Sequence, residues 1–151
     1  MFLFFEKKYK MINFHNEDIE FKIKTPRELT AMINYAVKNE QTILGELNYV
    51  FCSDKYLLKV NQDYLKHDYY TDIITFDYSE GGEISGDIFI SIDRVGENAK
   101  IFGVSFEDEL RRVVIHGVLH IIGYKDKTED EQKQMTEKEN FYINYNTYES
   151  L

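Results

Sequence analysis

Tryptophan is absent from the 151 residues, and cysteine and proline occur once each. The lone Cys52 excludes an internal disulfide and points to a reducing compartment. Its run, Tyr49-Val-Phe-Cys52, marks it as a small core residue rather than a reactive thiol. With one proline and eight glycines the chain has no Pro/Gly-rich linker, and it shows no internal repeat or low-complexity segment. A single domain, long enough to bury its own core, is expected. Long apolar runs are missing too. No window approaches the roughly 20 apolar residues that span a bilayer. Phe2-Leu-Phe-Phe5 is short for a secretory core and is followed, not preceded, by lysines. A cytoplasmic protein with no membrane association is the expectation. Positive charge is also scarce: 18 Lys and Arg face 27 acidic residues, a net charge of −9. That balance argues against indiscriminate nucleic-acid binding, DNA included, but leaves room for a local basic groove.

What is present is a globular composition, 43% hydrophobic and 30% charged. Met11-Ile-Asn-Phe-His15 and Phe21-Lys-Ile-Lys24 read as strand material. Thr25-Pro26 starts a helix that runs to about Asn39 and buries Leu29, Ile33, Ala36 and Val37. A strand from Glu46 to Cys52 follows, and Ser53 caps a helix with Tyr56, Leu57, Val60 and Tyr64 at helical spacing. Asp72 to Asp77 and Asp87 to Ser91 are predicted as a hairpin around Gly81-Gly82. A helix from Ser91 or Asp93 reaches about Ile101. Ser105-Phe-Glu-Asp108 fits a capping box opening a long helix to Ile122, which Gly123 ends. Thr128 caps a last helix, Glu129 to about Tyr142. Asp126 to Glu139 holds six acids against three lysines and reads as a solvated helix face. The order predicts an α+β fold: one domain, a small mixed four-stranded sheet and about five helices.

Chemistry concentrates in His116-Gly-Val-Leu-His120-Ile-Ile-Gly-Tyr-Lys-Asp126. Histidines at i and i+4 share a helix face, with Cβ atoms roughly 5–6 Å apart, so two imidazoles can converge on one divalent metal. Asp126 is placed as the third ligand, because the chain turns at Gly123 and folds back. Three protein ligands leave a position for water, the arrangement of catalytic zinc, and metal-bound water supplies a nucleophile without a strong base. The metalloprotease motif His-Glu-x-x-His carries its base beside the first histidine. Here that position is Gly117, so peptidase chemistry lacks its base.

His116-Gly-x-Leu-His120-x-x-Gly123-Tyr124 resembles the signature of the YbeY family of bacterial endoribonucleases. Val60-Asn61-x-x-Tyr64 followed by Asp68-x-Tyr-Thr71-Asp72-Ile-Ile-Thr-Phe76 is similar to a second family block, and Gly86-Asp87-Ile88 to its Gly-Asp-Ile strand start. The resemblance covers roughly residues 50 to 140. It implies a compact fold with a zincin-like metal helix and one Zn2+ per chain held by His116, His120 and Asp126. It also implies single-strand-specific endoribonuclease activity in maturation of the small-subunit rRNA 3′ end and in ribosome quality control. The implied partners are single-stranded rRNA, the small ribosomal subunit and its basic proteins.

Two positions depart from the family pattern. Asp126 stands where the family has a third histidine, which makes the site harder and keeps manganese in play beside zinc. Leu65 stands where the family has an arginine that engages phosphate. Lys66 or His67 is the nearby substitute, with Lys59 on the same groove. Thr71 and Asp72, where a loop enters a strand, are further candidate substrate contacts, Asp72 chiefly by fixing the loop. The alternative for Asp72 is direct catalysis, and Asp87 carries the same two readings. Tyr124 either stacks a base or packs in the fold. Met11-Ile-Asn-Phe looks like a native start, which makes residues 1–10 an extension or a misassigned start ahead of a 11–151 domain. Two rival functions stand beside the nuclease. One is a metal-dependent hydrolase of another substrate. The other is a ribosome-assembly factor that mainly binds, with a structural metal and an acidic surface suited to basic ribosomal proteins.

Overall fold

The computed structural model describes residues 11–145, so the reading of residues 1–10 as an extension lies outside the described residues. The elements in chain order are β1 (Met11–Asn16), α1 (Pro26–Asn39), β2 (Ile43–Cys52), α2 (Asp54–Leu65), β3 (Ile73–Asp77), β4 (Glu83–Ser91), α3 (Ile92–Phe102), α4 (Phe106–Ile122) and α5 (Glu129–Ile143). They build one mixed four-stranded sheet of order β1-β2-β4-β3. β1, β2 and β4 run parallel, and β3 pairs antiparallel with β4. The β3–β4 hairpin closes through Gly81 and Gly82 at φ of 59° and 82°. That backbone is natural to glycine and is the twist a tight hairpin prefers.

Because side chains alternate along a strand, the sheet has two distinct faces. Leu47, Tyr49 and Phe51 of β2 and Ile84, Ile88 and Ile90 of β4 meet α1, α3, α4 and α5 in the larger core. The opposite face buries Cys52 and Ile74 beneath Leu57 and Val60 of α2. Tyr49 donates its hydroxyl to the Val114 carbonyl at 2.9 Å, tying β2 to α4 in the centre of that core.

Three expectations need correction. Phe21–Lys24 forms no strand: Phe21 and Ile23 are half-buried, but Phe21 spends its apolar surface on the rings of Phe51 (5.2 Å) and Phe106 (5.8 Å). The alternating pattern is that of an extended loop lying across the core. Ser105 caps α4 through the Asp108 amide alone, because Asp108 turns its carboxylate to Arg111; the reciprocal capping box belongs to Thr128 and Glu131. Tyr64, in register with the buried Leu57 and Val60, is exposed on the last turn of α2.

Candidate metal centre

α4 is an apolar helix with a polar seam. Nine of its residues are buried, including Val113, Val114, Ile115, Gly117, Val118 and Ile121, and this surface lies against the sheet and α1. His116 and His120, four apart, fall on the flank that faces α5. Gly117 explains how close α4 sits to the sheet. A Cβ there would lie 2.9 Å from Ile88 Cγ2 and 3.0 Å from Ile73 Cδ1. The position that carries the base in a metalloprotease therefore points away from the histidines, into packing with no room for a glutamate.

Gly123, at φ 132°, ends the helix. Its amide and that of Tyr124 bond back to Leu119 and His120 carbonyls at 3.0–3.1 Å. The reversal carries the Tyr124 carbonyl to 2.9 Å from His120 Nδ1 and swings Asp126 over the histidine pair. Asp126 Oδ2 stands 3.3 Å from His116 Nε2 and 3.2 Å from His120 Nε2. The imidazoles meet edge to face, their centroids 4.5 Å apart.

The outer partners decide what these atoms present. His116 Nδ1 lies 2.5 Å from Glu139 Oε2. An Nδ1–H donated to Glu139, and another donated by His120 to Tyr124, leave a lone pair on each Nε2. With both rings neutral in that tautomer, three lone-pair atoms converge. Such an array calls for a cation, and the three atoms lie within 4.8 Å of one another. Donors around an ion with bonds near 2 Å stand about 3.3 Å apart in a tetrahedron, so the donor set fits zinc. Asp126 is 38% exposed, which leaves the centre open to solvent on one side.

Charge behind the pair is dense. Arg112 Nη1 donates to Glu139 Oε1 at 3.0 Å and Nη2 to Asn140 at 3.0 Å. Burial lowers the His116 pKa, but the Glu139 hydrogen bond and charge, then Asp126 and Asp72, hold it above its ordinary 6.5. Burial likewise raises the Asp72 carboxyl against the pull of His116.

A family profile described as Endoribonuclease YbeY matches residues 11–146. The chain belongs to the YbeY family. Relatives from several bacteria carry that name, two of them about half identical to this chain. The protein from Cytophaga hutchinsonii is 52% identical over 133 residues, covering 87% of this chain and 93% of its own. That from Flavobacterium johnsoniae is 51% identical over 129 residues, covering 85% and 92%. The solution structure of TM1509 from Thermotoga maritima aligns with a TM-score of 0.62 at 32% identity, covering 88% of this chain and 87% of that one.

The other predicted site residues scatter. Lys66 ends α2 in a left-handed turn (φ 58°) and extends to the Asp63 carbonyl at 3.4 Å. His67 stacks on Tyr69. Thr71 turns its hydroxyl to the Ile73 carbonyl at 3.3 Å, a loop-fixing bond. Asp72 joins the charged group around His116 and bonds Ser91 N through its carbonyl at 2.9 Å. Leu65 and Lys59 are exposed on α2. Asp87 points to the face away from α4, where it accepts from Asn48 at 3.1 Å and Tyr78 at 3.2 Å. Tyr124 packs in the fold: its hydroxyl donates to Glu40 at 2.5 Å and its ring lies 5.4 Å from Lys138 Nζ.

The acidic run is not uniformly solvated. Glu139 is only 6% exposed and is the direct partner of His116. Its signal was the spacing Met135, Glu139, Tyr142, which places the carboxylate on the buried stripe of α5. Glu40, holding Tyr124, Tyr142 and Lys138 together, had no comparable signal.

Proposed function

We propose that this member of the YbeY family is a zinc-dependent endoribonuclease. It cuts single-stranded RNA in the cytoplasm, in maturation of the small-subunit rRNA 3′ end and in ribosome quality control. The observation that carries the reading is the convergence of His116 Nε2, His120 Nε2 and Asp126 Oδ2 in a chain about half identical to proteins named as endoribonucleases. Zinc held by these three residues would polarise a phosphate oxygen and lower the pKa of a water molecule. The chain's own groups prepare that position. Glu139 and the Tyr124 carbonyl orient the two rings, and Arg112 fixes Glu139. Gly117 supplies no base, and Lys66, whose ammonium reaches the Asp63 carbonyl, is the cation offered to a phosphate, His67 being engaged with Tyr69. Thr71 and Asp72 shape the strand entry past which the RNA runs.

The test is cleavage of an RNA carrying the small-subunit 3′ end, single-stranded and annealed to its complement, by zinc-loaded protein. Cuts in the single strand alone, lost in His120→Ala, are expected. Equal cleavage by His120→Ala contradicts the reading. The large acidic excess keeps an assembly-factor role as the second reading. Sedimentation with small subunits, without any cleavage by the wild-type protein, decides for it.

A further inference from the structure

The loop from Lys66 to Asp72 joins α2 to β3 and carries rings at His67, Tyr69 and Tyr70. Tyr69 and Tyr70, neighbours in the chain, are 56% and 55% exposed, so the apolar bodies of both rings meet solvent. They are nonetheless braced. Asn61, 1% exposed, accepts the His67 amide on its carbonyl at 3.1 Å and donates its side-chain amide to the Tyr69 carbonyl at 2.9 Å. A buried residue thus holds the loop backbone from within, and Gln62 holds Asp68 from outside at 2.5 Å. On this frame the His67 and Tyr69 rings lie nearly parallel, 5.2 Å apart at 21°, with the Tyr69 hydroxyl 3.1 Å from His67 Nδ1. The Tyr70 ring sits 5.6 Å from the Arg94 guanidinium, which Asp54 anchors at 2.8 Å.

The loop also ends at the metal helix. Ile73, directly after it, occupies the space beside Gly117, the neighbour of His116. Asp72, the last residue of the loop, is close enough to His116 for their charges to interact.

We propose that Tyr69 and Tyr70 form a stacking shelf for unpaired nucleobases of an RNA strand entering the His116–His120–Asp126 site, a proposal that rests on the endoribonuclease reading above. Charge alone gives a weak grip here: Arg94 is committed to Asp54 and Glu97, Lys66 is the single Lys or Arg of the loop, and the whole chain is acidic. Stacking is indifferent to that charge and tolerant of sequence, because every base has a π-face. It also discriminates: duplex bases are already stacked on one another and offer no free face, so the shelf selects single strands. Binding that rests on stacking should weaken less steeply with salt than binding driven by phosphate contacts.

The test is anisotropy of a fluorescein-labelled single-stranded RNA with the full-length His120→Ala protein, which leaves the strand uncut. Tyr69→Leu and Tyr70→Leu should each weaken binding, by about 5- to 150-fold per lost stack. Tyr69→Phe and Tyr70→Phe, which keep the ring, should bind like the parent. A strand of abasic sugars should bind weakly and equally to parent and Leu variants. Leu variants that bind the intact strand as tightly as the parent overturn the shelf and leave the endoribonuclease reading standing, as does an abasic strand that binds as well as the intact one. A parent that binds no single-stranded RNA overturns both.

Discussion

Glu139 Oε2 stands 2.5 Å from His116 Nδ1, although the two residues come from different helices and lie 23 positions apart. The carboxylate's other oxygen takes Arg112 at 3.0 Å. Carboxylates in this relation to a ligating histidine fix its tautomer and raise its basicity, and their loss lowers metal affinity about 10–100-fold. Glu139→Ala should therefore bind zinc 10–100-fold more weakly than the wild-type protein in competition with a fluorescent chelator. Glu139→Gln should fall between them, because it keeps an acceptor and loses the charge. Unchanged affinity in Glu139→Ala would show that His116 is oriented by other means.

His120 depends on a second clamp, one step removed. Its Nδ1 partner is the Tyr124 carbonyl, and the Tyr124 hydroxyl is bonded to Glu40, which also receives Lys138 at 3.0 Å. Burial raises the Glu40 carboxyl, but bonds from Tyr124, Tyr142 and Lys138 outweigh it and leave the folded pKa below 4.5. The stabilisation from this group is then full above the unfolded value and is lost as pH falls through the lower folded one. Wild-type melting temperature should drop between pH 4.5 and 3 more steeply than that of Glu40→Gln. Parallel curves would remove Glu40 from the account.

Gly117 should resist enlargement in proportion to size. Alanine gains about 1 kcal/mol of helix propensity, which offsets the crowding against Ile88 and Ile73. Leucine cannot be accommodated that way and should cost at least the roughly 1–3 kcal/mol of an overpacked core. Urea unfolding of Gly117→Ala and Gly117→Leu measures both. A leucine variant as stable as wild type would mean that α4 can lift from the sheet without cost.

Glu109 lies on α4 two turns before His116, 3% exposed, and its Oε1 has no hydrogen-bond partner. Burial raises its pKa above 4.5, with Arg112 opposing and Asp72 and Glu139 reinforcing. A carboxyl raised on folding resists ionisation in the native state, so its contribution declines as pH climbs from the unfolded value through the folded one. Glu109→Gln lacks that decline. Its melting temperature relative to wild type should rise from pH 4.5 to 7.5, and a constant difference would contradict the assignment.

The sheet order's raw materials, the five helices and the histidine pair were all legible, because each has a local signature: alternation, 3.6-residue spacing, a cap or a glycine stop. Asp126 was legible because Gly123 forces a reversal within reach of His120. Glu139 was hidden by the six acids of its run, whose composition describes an average face while its position on α5 is buried. Phe21–Lys24 misled for the opposite reason, since alternation reports burial on one side and says nothing of whether a strand lies beside it. Glu40 belongs to contacts with Tyr124, Lys138 and Tyr142 some 84 to 102 residues away, and no local pattern encodes those.

The central claim is that RNA hydrolysis depends on an ion held by His116, His120 and Asp126. Stepwise addition of zinc to chelator-stripped protein, with single-strand cleavage followed at each step, tests it most directly. The rate should start near zero, rise in proportion to added zinc and level off at one equivalent per chain. Full cleavage by the stripped protein, with no metal detected in it by elemental analysis, would contradict it.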